Sequence, residues 1–585
     1  MASETGDGGG SGKTLRRYGP IALILVIMII VGVVIATGGG DDDDDVEGTG
    51  TSDTTEASSS GGGDGTEINP DIALTYQAAE AAGILDTVEW GDTCDTDTGR
   101  LMMPVNNAYP CVAPYDEAAG NGGATTQGVT EDEITIALYK AQPDPLQQLL
   151  VEDAGADTDP DAVNQTAQDY LAMFADIGET YGRELNVVVV EATGLAADAT
   201  AAAADAQKVI DLKPFAAIGG PGQTDVYWET LVEAEILCVG ACSIAAPAPD
   251  VERVSPYLWP TGPNPDQADV HLLELMGKQL VGQPAEYAGD TALQTETRVF
   301  GWVQAERKVD EFKERNDRFE ETFADEYGGE IAKRSTYIFD AAKGPEIATN
   351  VIAQMKEAGV TTIIMSTDPL VPKNITEEAT KQNYFPEWII GPSVLADTTI
   401  FGRTFDQQQW SHAFGLGLTL ARQDNQLGDS WQSYEWYYGQ EPPVNSQAVI
   451  YPGPNRLLLG IHLAGPNLTP ETFRDGMFGY PPEEQGKTYA HDSWGNSLWP
   501  QTDYNSADDT TAIYWDPDAT GEDEAGNEGS GMLLYVKGGE RYLPGGWPDS
   551  LPWFDDPDAV GIYTELPAGD EVPDYPPWPG SPAAG

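Results

Sequence analysis

The feature that most constrains the fold is an alternation of apolar runs with amphipathic stretches, which occurs in two consecutive rounds. Predicted strands occupy residues 134–139, 185–190, 215–218 and 236–239 in the first round, and 298–303, 330–337, 361–365 and 387–390 in the second. The segments between them repeat apolar residues at helical spacing. This pattern predicts parallel sheets covered by helices on both faces. Two rounds of similar size predict an α/β protein of two lobes with a cleft between them.

Two turns in the first round point to a ligand pocket. The strand that ends at Ile218 runs into Gly219-Gly220-Pro221-Gly222-Gln223-Thr224 and then into a helix. The next strand ends in Gly240-Ala241-Cys242-Ser243. Backbone N–H groups at a helix start favour anions, and turns of this kind gather at the carboxyl ends of parallel strands. The pair predicts a site for a small molecule.

Length and charge narrow the possible functions. At 585 residues the chain is too long for a single core. Its 96 acidic and 29 basic residues give a formal charge of −67, which excludes nucleic acid as a partner because that requires a basic surface. The acidic surface is typical of a protein kept soluble by its charge.

The N-terminal segment predicts export. Lys13, Arg16 and Arg17 precede the uncharged run 20–37, and five aspartates follow at 41–45. This charge asymmetry predicts a cytoplasmic N-terminus at 1–19 and an extracytoplasmic remainder. The run is long enough for a transmembrane anchor, and Ala36-Thr37-Gly38 also fits a signal cleavage site, so both alternatives stay open.

Four cysteines in an exported chain predict two disulfides. Cys94 and Cys111 are close in sequence, as are Cys238 and Cys242, so pairing within each couple is the simplest connectivity. A metal site would need a nearby His or further Cys, and neither couple has one. We therefore predict no cysteine metal site.

Changes in composition along the chain predict the boundaries of its segments. The predicted segments are a flexible acidic linker at 38–69, a disulfide-stapled extension at 70–127, the first lobe at 128–262 with a return segment at 406–480, the second lobe at 263–405 with C-terminal strands at 481–545, and a Pro- and Asp-rich tail at 546–585.

Several motifs resemble those of the type I periplasmic binding proteins, the Leu/Ile/Val-binding group. These are Gly128-Val129-Thr130-Glu131-Asp132-Glu133-Ile134-Thr135-Ile136, the two glycine-containing turns, and Phe385-Pro386-Glu387-Trp388-Ile389-Ile390-Gly391. The resemblance covers roughly residues 128–475. It implies two Rossmann-like lobes joined by three crossovers, which close on an amino acid or similar solute and deliver it to an ABC permease.

Two positions depart from that family. Ile244 stands where a threonine is usual, beside Ser243, and Glu306-Arg307-Lys308 stands where a Tyr-Gly pair is usual. Both departures put an ordinary branched-chain amino acid in doubt. Arg307 or Lys308 could meet an extra acid group of a larger ligand, although a solvated helix start explains them as well.

Five residues are predicted to contact the ligand. Thr224 and Ser243 supply hydroxyl donors, and Gln142 follows the first strand on the same wall. From the second lobe, Gln304 and Asp368 follow apolar strands, and Asp368 suits an ammonium group. The alternative is structural: Thr224 caps its helix, and Asp368 starts a turn before Pro369.

The sequence gives little indication of an enzyme or of a metal site. The four histidines, His271, His412, His462 and His491, have no nucleophile in a known motif beside them, and we predict no enzyme and no cofactor. Asp516-Pro517-Asp518-Ala519-Thr520-Gly521 resembles the start of a calcium loop, but its twelfth position is Asn527, so an Asp-Gly turn explains it equally well.

The predicted function is therefore solute capture for an ABC permease. The alternative is a ligand-sensing ectodomain or a co-receptor of a separate signalling protein. The chain carries only 19 residues before the predicted anchor, too few for an output domain of its own, so transport leads.

Overall fold

The computed structural model describes residues 68–143 and 159–585, apart from positions 223, 241, 244, 245, 263, 307–311, 393, 394 and 483–485. The predicted cytoplasmic segment, the anchor and nearly all of the linker lie outside these residues, as do Arg307 and Lys308. The extension contains helix α1 (Tyr76–Ala81) and a short antiparallel pair, β1 (Cys94–Asp95) and β2 (Arg100–Leu101). The predicted Cys94–Cys111 disulfide is present and ties this pair to the chain that follows.

The first lobe is built on a five-stranded parallel sheet with the spatial order β4-β3-β5-β6-β7. Its strands and helices follow one another as β3 (Glu133–Lys140), α2 (Pro160–Ile177), β4 (Glu184–Glu191), α3 (Ala199–Leu212), β5 (Ala216–Ile218), α4 (Val226–Glu233), β6 (Leu237–Val239), α5 (Ala248–Arg253) and β7 (Leu258–Trp259). Every residue of β5 and β6 is buried, because helices cover both faces of the sheet.

The second lobe repeats this order in a larger sheet. Five parallel strands stand as β9-β8-β10-β11-β12, and the antiparallel strands β13 and β14 extend the sheet beyond β12. The elements are α6 (Pro265–Gln279), β8 (Phe300–Glu306), α7 (Lys313–Tyr327), β9 (Ile331–Ile338), α8 (Gly344–Glu357), β10 (Thr362–Ser366), α9 (Val371–Lys381), β11 (Glu387–Ile390), α10 (Thr399–Gly402), α11 (Gln407–Trp410) and β12 (Ala413–Gly417). The α/β fold with two parallel sheets, predicted from the sequence, is confirmed.

The rest of the chain first returns to the first lobe and then completes the second. Helices α12 (Asp429–Tyr438), α13 (Gln447–Ile450), α14 (Pro452–Ala464) and α15 (Pro470–Phe478) pack on the first lobe, and β13 (Thr510–Glu522), β14 (Glu528–Tyr535) and β15 (Arg541–Tyr542) join the second sheet. The predicted return segment begins at residue 406, which would put β12 in the first lobe. That boundary is too early, because β12 pairs with β11 in the second sheet.

Local sequence explains where several helices begin. The Asp159 carboxylate accepts the backbone N–H of Asp161 at the start of α2, and Asp198 accepts those of Thr200 and Ala201 at the start of α3. Asn264 and Gln267 form a reciprocal capping box at α6. Such side chains satisfy N–H groups that have no partner inside the helix.

Three crossovers join the lobes, and all three meet the carboxyl edges of the parallel sheets. The first leaves β7 after Trp259 for α6, and the second leaves β12 after Gly417 for α12. The third runs from α15 into β13, whose start lies antiparallel to the end of β12, with Thr511 opposite Gly417. The carboxyl edges of the two sheets therefore face each other across the hinge, which is where open α/β sheets bind ligands.

The extension belongs to the first lobe. Tyr109 stacks on Phe174 of α2 with ring centroids 5.7 Å apart, and its hydroxyl donates to the Asn455 carbonyl at 2.8 Å. The backbone N–H of Ala73 donates to the Leu463 carbonyl at 3.0 Å. Helix α1 covers only six residues, because Gly83, with a φ of 69°, forms a turn after it.

Candidate ligand-binding cleft

The first-lobe wall is formed where β5 and β6 end. Ile218 pairs with Val239, so the turn that begins at Gly219 and the turn that begins at Gly240 lie side by side. A Cβ placed on Gly220 would lie 2.7 Å from the Tyr227 ring and 3.5 Å from the Cα of Cys242. The two turns are in direct contact, and only glycine fits at that point.

The predicted Cys238–Cys242 disulfide is present and closes the second turn. Both cysteines are fully buried. Gly240 adopts a φ of 77°, and a Cβ there would lie 3.1 Å from the Cα of Gly453 at the start of α14. The disulfide and this close backbone approach hold the turn against the sheet.

The three first-lobe residues predicted to bind ligand stand at this edge. Thr224 is half-buried and stands one residue before the N-cap of α4, Asp225; its hydroxyl accepts the backbone N–H of Val226 at 3.4 Å. Ser243 is 4% exposed and directly follows the disulfide. Gln142, beyond β3, is exposed, and its amide donates to the Ala192 carbonyl at 2.7 Å. Their ligand contacts stay predictions.

On the second-lobe wall, Asp368 follows β10 and is 3% exposed. One carboxylate oxygen accepts the backbone N–H groups of Leu370 at 2.8 Å and Val371 at 2.9 Å, and the other accepts the Tyr337 hydroxyl at 2.5 Å. Burial raises the pKa of Asp368, and the hydrogen bond from Tyr337 opposes the rise. The carboxylate thus starts helix α9, the structural role that the sequence left open beside ligand binding.

Gln304 lies inside strand β8 rather than after it. The strand was predicted to end at Val303 but continues to Glu306. Gln304 is 1% exposed, and its side-chain oxygen accepts the Asn316 amide of α7 at 2.5 Å. Its side chain is directed to the helix that covers the sheet face, so the expectation that it faces the cleft is corrected. Glu306, which is buried, ends the strand.

Asp397 is a carboxyl that the sequence reasoning missed. It follows β11 and is 5% exposed, and burial raises its pKa to about 7 against opposing hydrogen bonds from backbone N–H groups, one of them that of Leu418 at the end of β12. Nearby Leu395 is buried with a φ of 67°, a strained conformation for a bulky side chain. An acid after the Gly391-Pro392 turn was the only signal in the sequence.

Metal ligands do not gather in the described part of the chain: no group of three or more His, Cys, Asp or Glu side chains there could hold an ion. The calcium-like stretch lies within strand β13, at an irregularity between Asp516 and Thr520. The Asp516 carboxylate accepts the backbone N–H groups of Asp518 at 2.9 Å and Ala519 at 3.2 Å. A bend in the strand, rather than a calcium loop, explains these residues.

A small pocket lies elsewhere, between α5, the start of α6 and the third crossover. Ala248, Gln267, Trp499 and Asp503 are among its lining residues. Asp266, also in its lining, accepts from Arg318 at 2.7 Å and from the Ala248 backbone N–H at 3.2 Å. This pocket contains none of the five predicted ligand contacts.

Within residues 68–143 and 159–585, no helix has both the length and the apolar content of a membrane span. The predicted anchor at 20–37 falls outside these residues.

Comparison with known proteins gave no match among family models and none among curated proteins. Similar solved structures include a solute-binding protein of an ABC transporter from R. palustris in complex with 4-hydroxybenzoate (TM-score 0.45, 12% identity, 68% of this chain and 97% of that chain). A second is a branched-chain amino acid transporter substrate-binding protein from Streptococcus pneumoniae in complex with isoleucine (TM-score 0.42, 13% identity, 69% of this chain and 100% of that chain). A third is an ABC transporter substrate-binding protein from Sphaerobacter thermophilus (TM-score 0.47, 12% identity, 71% of this chain and 98% of that chain). The fold described above rests on the order and pairing of the strands in the two sheets.

Proposed function

We propose that this protein is an extracytoplasmic solute-binding protein that captures an amino acid or related small polar solute between its lobes and delivers it to an ABC permease. The observation that carries the proposal is the convergence of the three crossovers on the carboxyl edges of two parallel sheets. This geometry leaves a cleft between two lobes that can approach each other around a ligand.

The two walls of the cleft carry different chemical groups, which suits a ligand that has an acidic group at one end and an ammonium group at the other. On the first lobe, the helix start after Gly219–Gly222 and the hydroxyls of Thr224 and Ser243 offer donors to an acidic or carbonyl group. On the second lobe, Asp368 and Asp397 offer buried carboxyls to an ammonium group. An amino acid carries both kinds of group. The permease partnership rests on the sequence resemblance.

A thermal-shift screen with amino acids, short amides, urea derivatives and aromatic acids tests the capture of a solute. A ligand present at 100 times its dissociation constant stabilises a folded protein by roughly 2.7 kcal/mol. Calorimetry then gives stoichiometry and affinity. One ligand bound per chain without turnover supports the proposal, whereas chemical conversion of the ligand would contradict it.

Substitutions then test the site. Asp368→Asn keeps an oxygen that can accept the N–H groups of α9 but removes the charge, so it should weaken binding of an ammonium ligand about tenfold or more with little loss of stability. Thr224→Ala should weaken binding, and the loss of its hydrogen bond with Val226 should lower the free energy of unfolding by ~1 kcal/mol. Asp211→Asn, on the exposed end of α3, is the control. Unchanged affinity in both site variants would reject the site assignment.

A further inference from the structure

The C-terminal tail begins on the second lobe, where it packs against helix α6. Trp547 is 2% exposed, and its indole N–H donates to the Nδ1 atom of His271 at 3.1 Å. The backbone N–H of Gly545 donates to Glu274 at 2.6 Å, and the Trp553 indole donates to Gln279 at 3.0 Å. These contacts fix the tail to the second lobe as far as residue 553.

The tail then runs along the hinge. Tyr563 lies parallel to Gln423 of the second crossover; its backbone N–H donates to the Arg422 carbonyl at 2.7 Å, and its carbonyl accepts the N–H of Asp424 at 2.8 Å. Asp570, which is 3% exposed, accepts the backbone N–H groups of Lys487 at 2.9 Å and Thr488 at 2.7 Å in the third crossover. Two crossovers are therefore bonded to the same piece of tail.

The tail ends on the first lobe. Trp578 is 7% exposed within the first-lobe core, and its indole N–H donates to the Asp176 carbonyl of α2 at 3.2 Å. The Trp436 indole of α12 donates to the Pro576 carbonyl at 2.8 Å, and the Tyr575 hydroxyl donates to Asp95 of the extension at 2.6 Å. A segment predicted as an extended tail is thus anchored at both ends, one on each lobe.

We propose that residues 561–585 act as a strap, a fourth connection between the lobes that stiffens the hinge and narrows the range of interlobe angles. The strap is bonded to the second crossover through the parallel bridge at Tyr563 and to the third crossover through Asp570. Five prolines between 567 and 579 make the strap semi-rigid, so it resists bending when the lobes move. The strap does not depend on the identity of the ligand.

The strap can be cut in the folded protein. The recognition sequence of a site-specific protease is inserted between Ala568 and Gly569, which are both exposed, at a point where a Cβ on Gly569 would meet nothing within 4 Å. Spin labels are attached to cysteines introduced at Asp211 on α3 and Glu357 on α8, both exposed. Pulsed electron paramagnetic resonance then measures the interlobe distance before and after cleavage.

After cleavage, the distance distribution should broaden and extend to longer distances. Hydrogen exchange at the amides of Asp424, Lys487 and Thr488 should become about tenfold faster, which corresponds to about 1.4 kcal/mol of lost local protection. The same insertion in the exposed loop at Gly282 within the second lobe is the control for the nick, and cutting it should leave the interlobe distance unchanged.

Trp578→Ala provides a second, uncut test, because it removes the first-lobe anchor and leaves the chain continuous. If that variant does not fold, Trp436→Phe replaces it; it removes the indole N–H that bonds the strap and part of the ring that packs against Trp578. A broadened distribution in both the cut protein and the anchor variant supports the strap. An unchanged distribution with unchanged exchange in either of them overturns it.

Discussion

At the scale of single residues, the ion pair between Arg298 and Glu387 is buried at the amino end of the second sheet. The guanidinium donates to both carboxylate oxygens at 2.8 Å, and the two side chains are 1% and 0% exposed. Glu387 also accepts from the Thr362 hydroxyl at 2.7 Å. We expect Glu387→Gln to lower the free energy of unfolding by about 3–5 kcal/mol, because it leaves a buried, uncompensated charge.

Urea denaturation measures this loss. Arg253→Ala is the matched control, since its pair with Asp250 is exposed at 60% and 44%, and such pairs contribute about 0–1 kcal/mol. Because Glu387 lies at the opposite end of its strand from the cleft, ligand affinity should stay unchanged. Equal losses in the two variants would contradict this account.

His462 predicts a pH dependence of stability. Its Nδ1 atom accepts the Glu179 backbone N–H at 2.8 Å, and its Nε2 atom donates to the Pro110 carbonyl at 2.8 Å, so the ring is held neutral. Burial lowers the pKa of His462 from 6.5 to about 4. Between pH 6.5 and pH 4 the unfolded chain binds a proton at this residue that the folded protein does not bind. The free energy of unfolding is therefore highest above pH 6.5 and falls by roughly 3 kcal/mol as the pH approaches 4.

Other groups, His271 included, titrate in both the protein and a His462 variant, so the difference between their unfolding free energies isolates His462. Unfolding free energies of the protein and of His462→Gln are measured at several pH values between 4 and 7. The advantage of the unaltered protein should shrink as the pH falls, since glutamine does not titrate. Parallel curves would show that His462 is not responsible.

At the scale of elements, the two disulfides should differ in their contribution to stability. Cys94 and Cys111 are 17 residues apart, whereas Cys238 and Cys242 are four apart. The chain-entropy model gives about 3 kcal/mol for the longer loop and about 2 kcal/mol for the shorter. Replacing both cysteines of the first pair by serine should therefore lower the denaturation midpoint more.

The shorter disulfide should matter more for binding, because it closes the turn at the first-lobe wall. Calorimetry on the Cys238→Ser/Cys242→Ser variant, with a ligand from the screen, should show weaker affinity. The Cys94→Ser/Cys111→Ser variant serves as the control and should bind normally once corrected for its stability. Equal affinities in the two variants would contradict a role for the turn.

At the scale of the whole molecule, the charge pattern around residues 20–37 predicts that everything after residue 40 lies outside the membrane. External protease on intact cells should release a fragment of nearly full length. Protection of that fragment until the cells are lysed would contradict the orientation. A mature N-terminus near residues 37–41 would keep export but replace the anchor with a cleaved signal.

Local pattern was enough to predict four parallel strands in each sheet and both disulfides. Strand β11 was placed at Glu387–Ile390 from its apolar run alone, and the short cysteine spacings indicated their own pairing. These features depend on residues that are neighbours in sequence, where periodicity and chain entropy act directly. The two glycine-containing turns at the first-lobe wall were also predicted, because each depends on residues that are neighbours in sequence.

Contacts between distant residues could not be read from the chain. Asp368 is engaged by Tyr337 from another strand, Gln304 by Asn316 from a covering helix, and the tail by partners more than a hundred residues away, such as Asp176. The assignment of β12 to the second lobe also depends on its pairing with β11. Hydrophobic burial sets these neighbours, because it is non-directional and is satisfied by the whole fold rather than by any one segment.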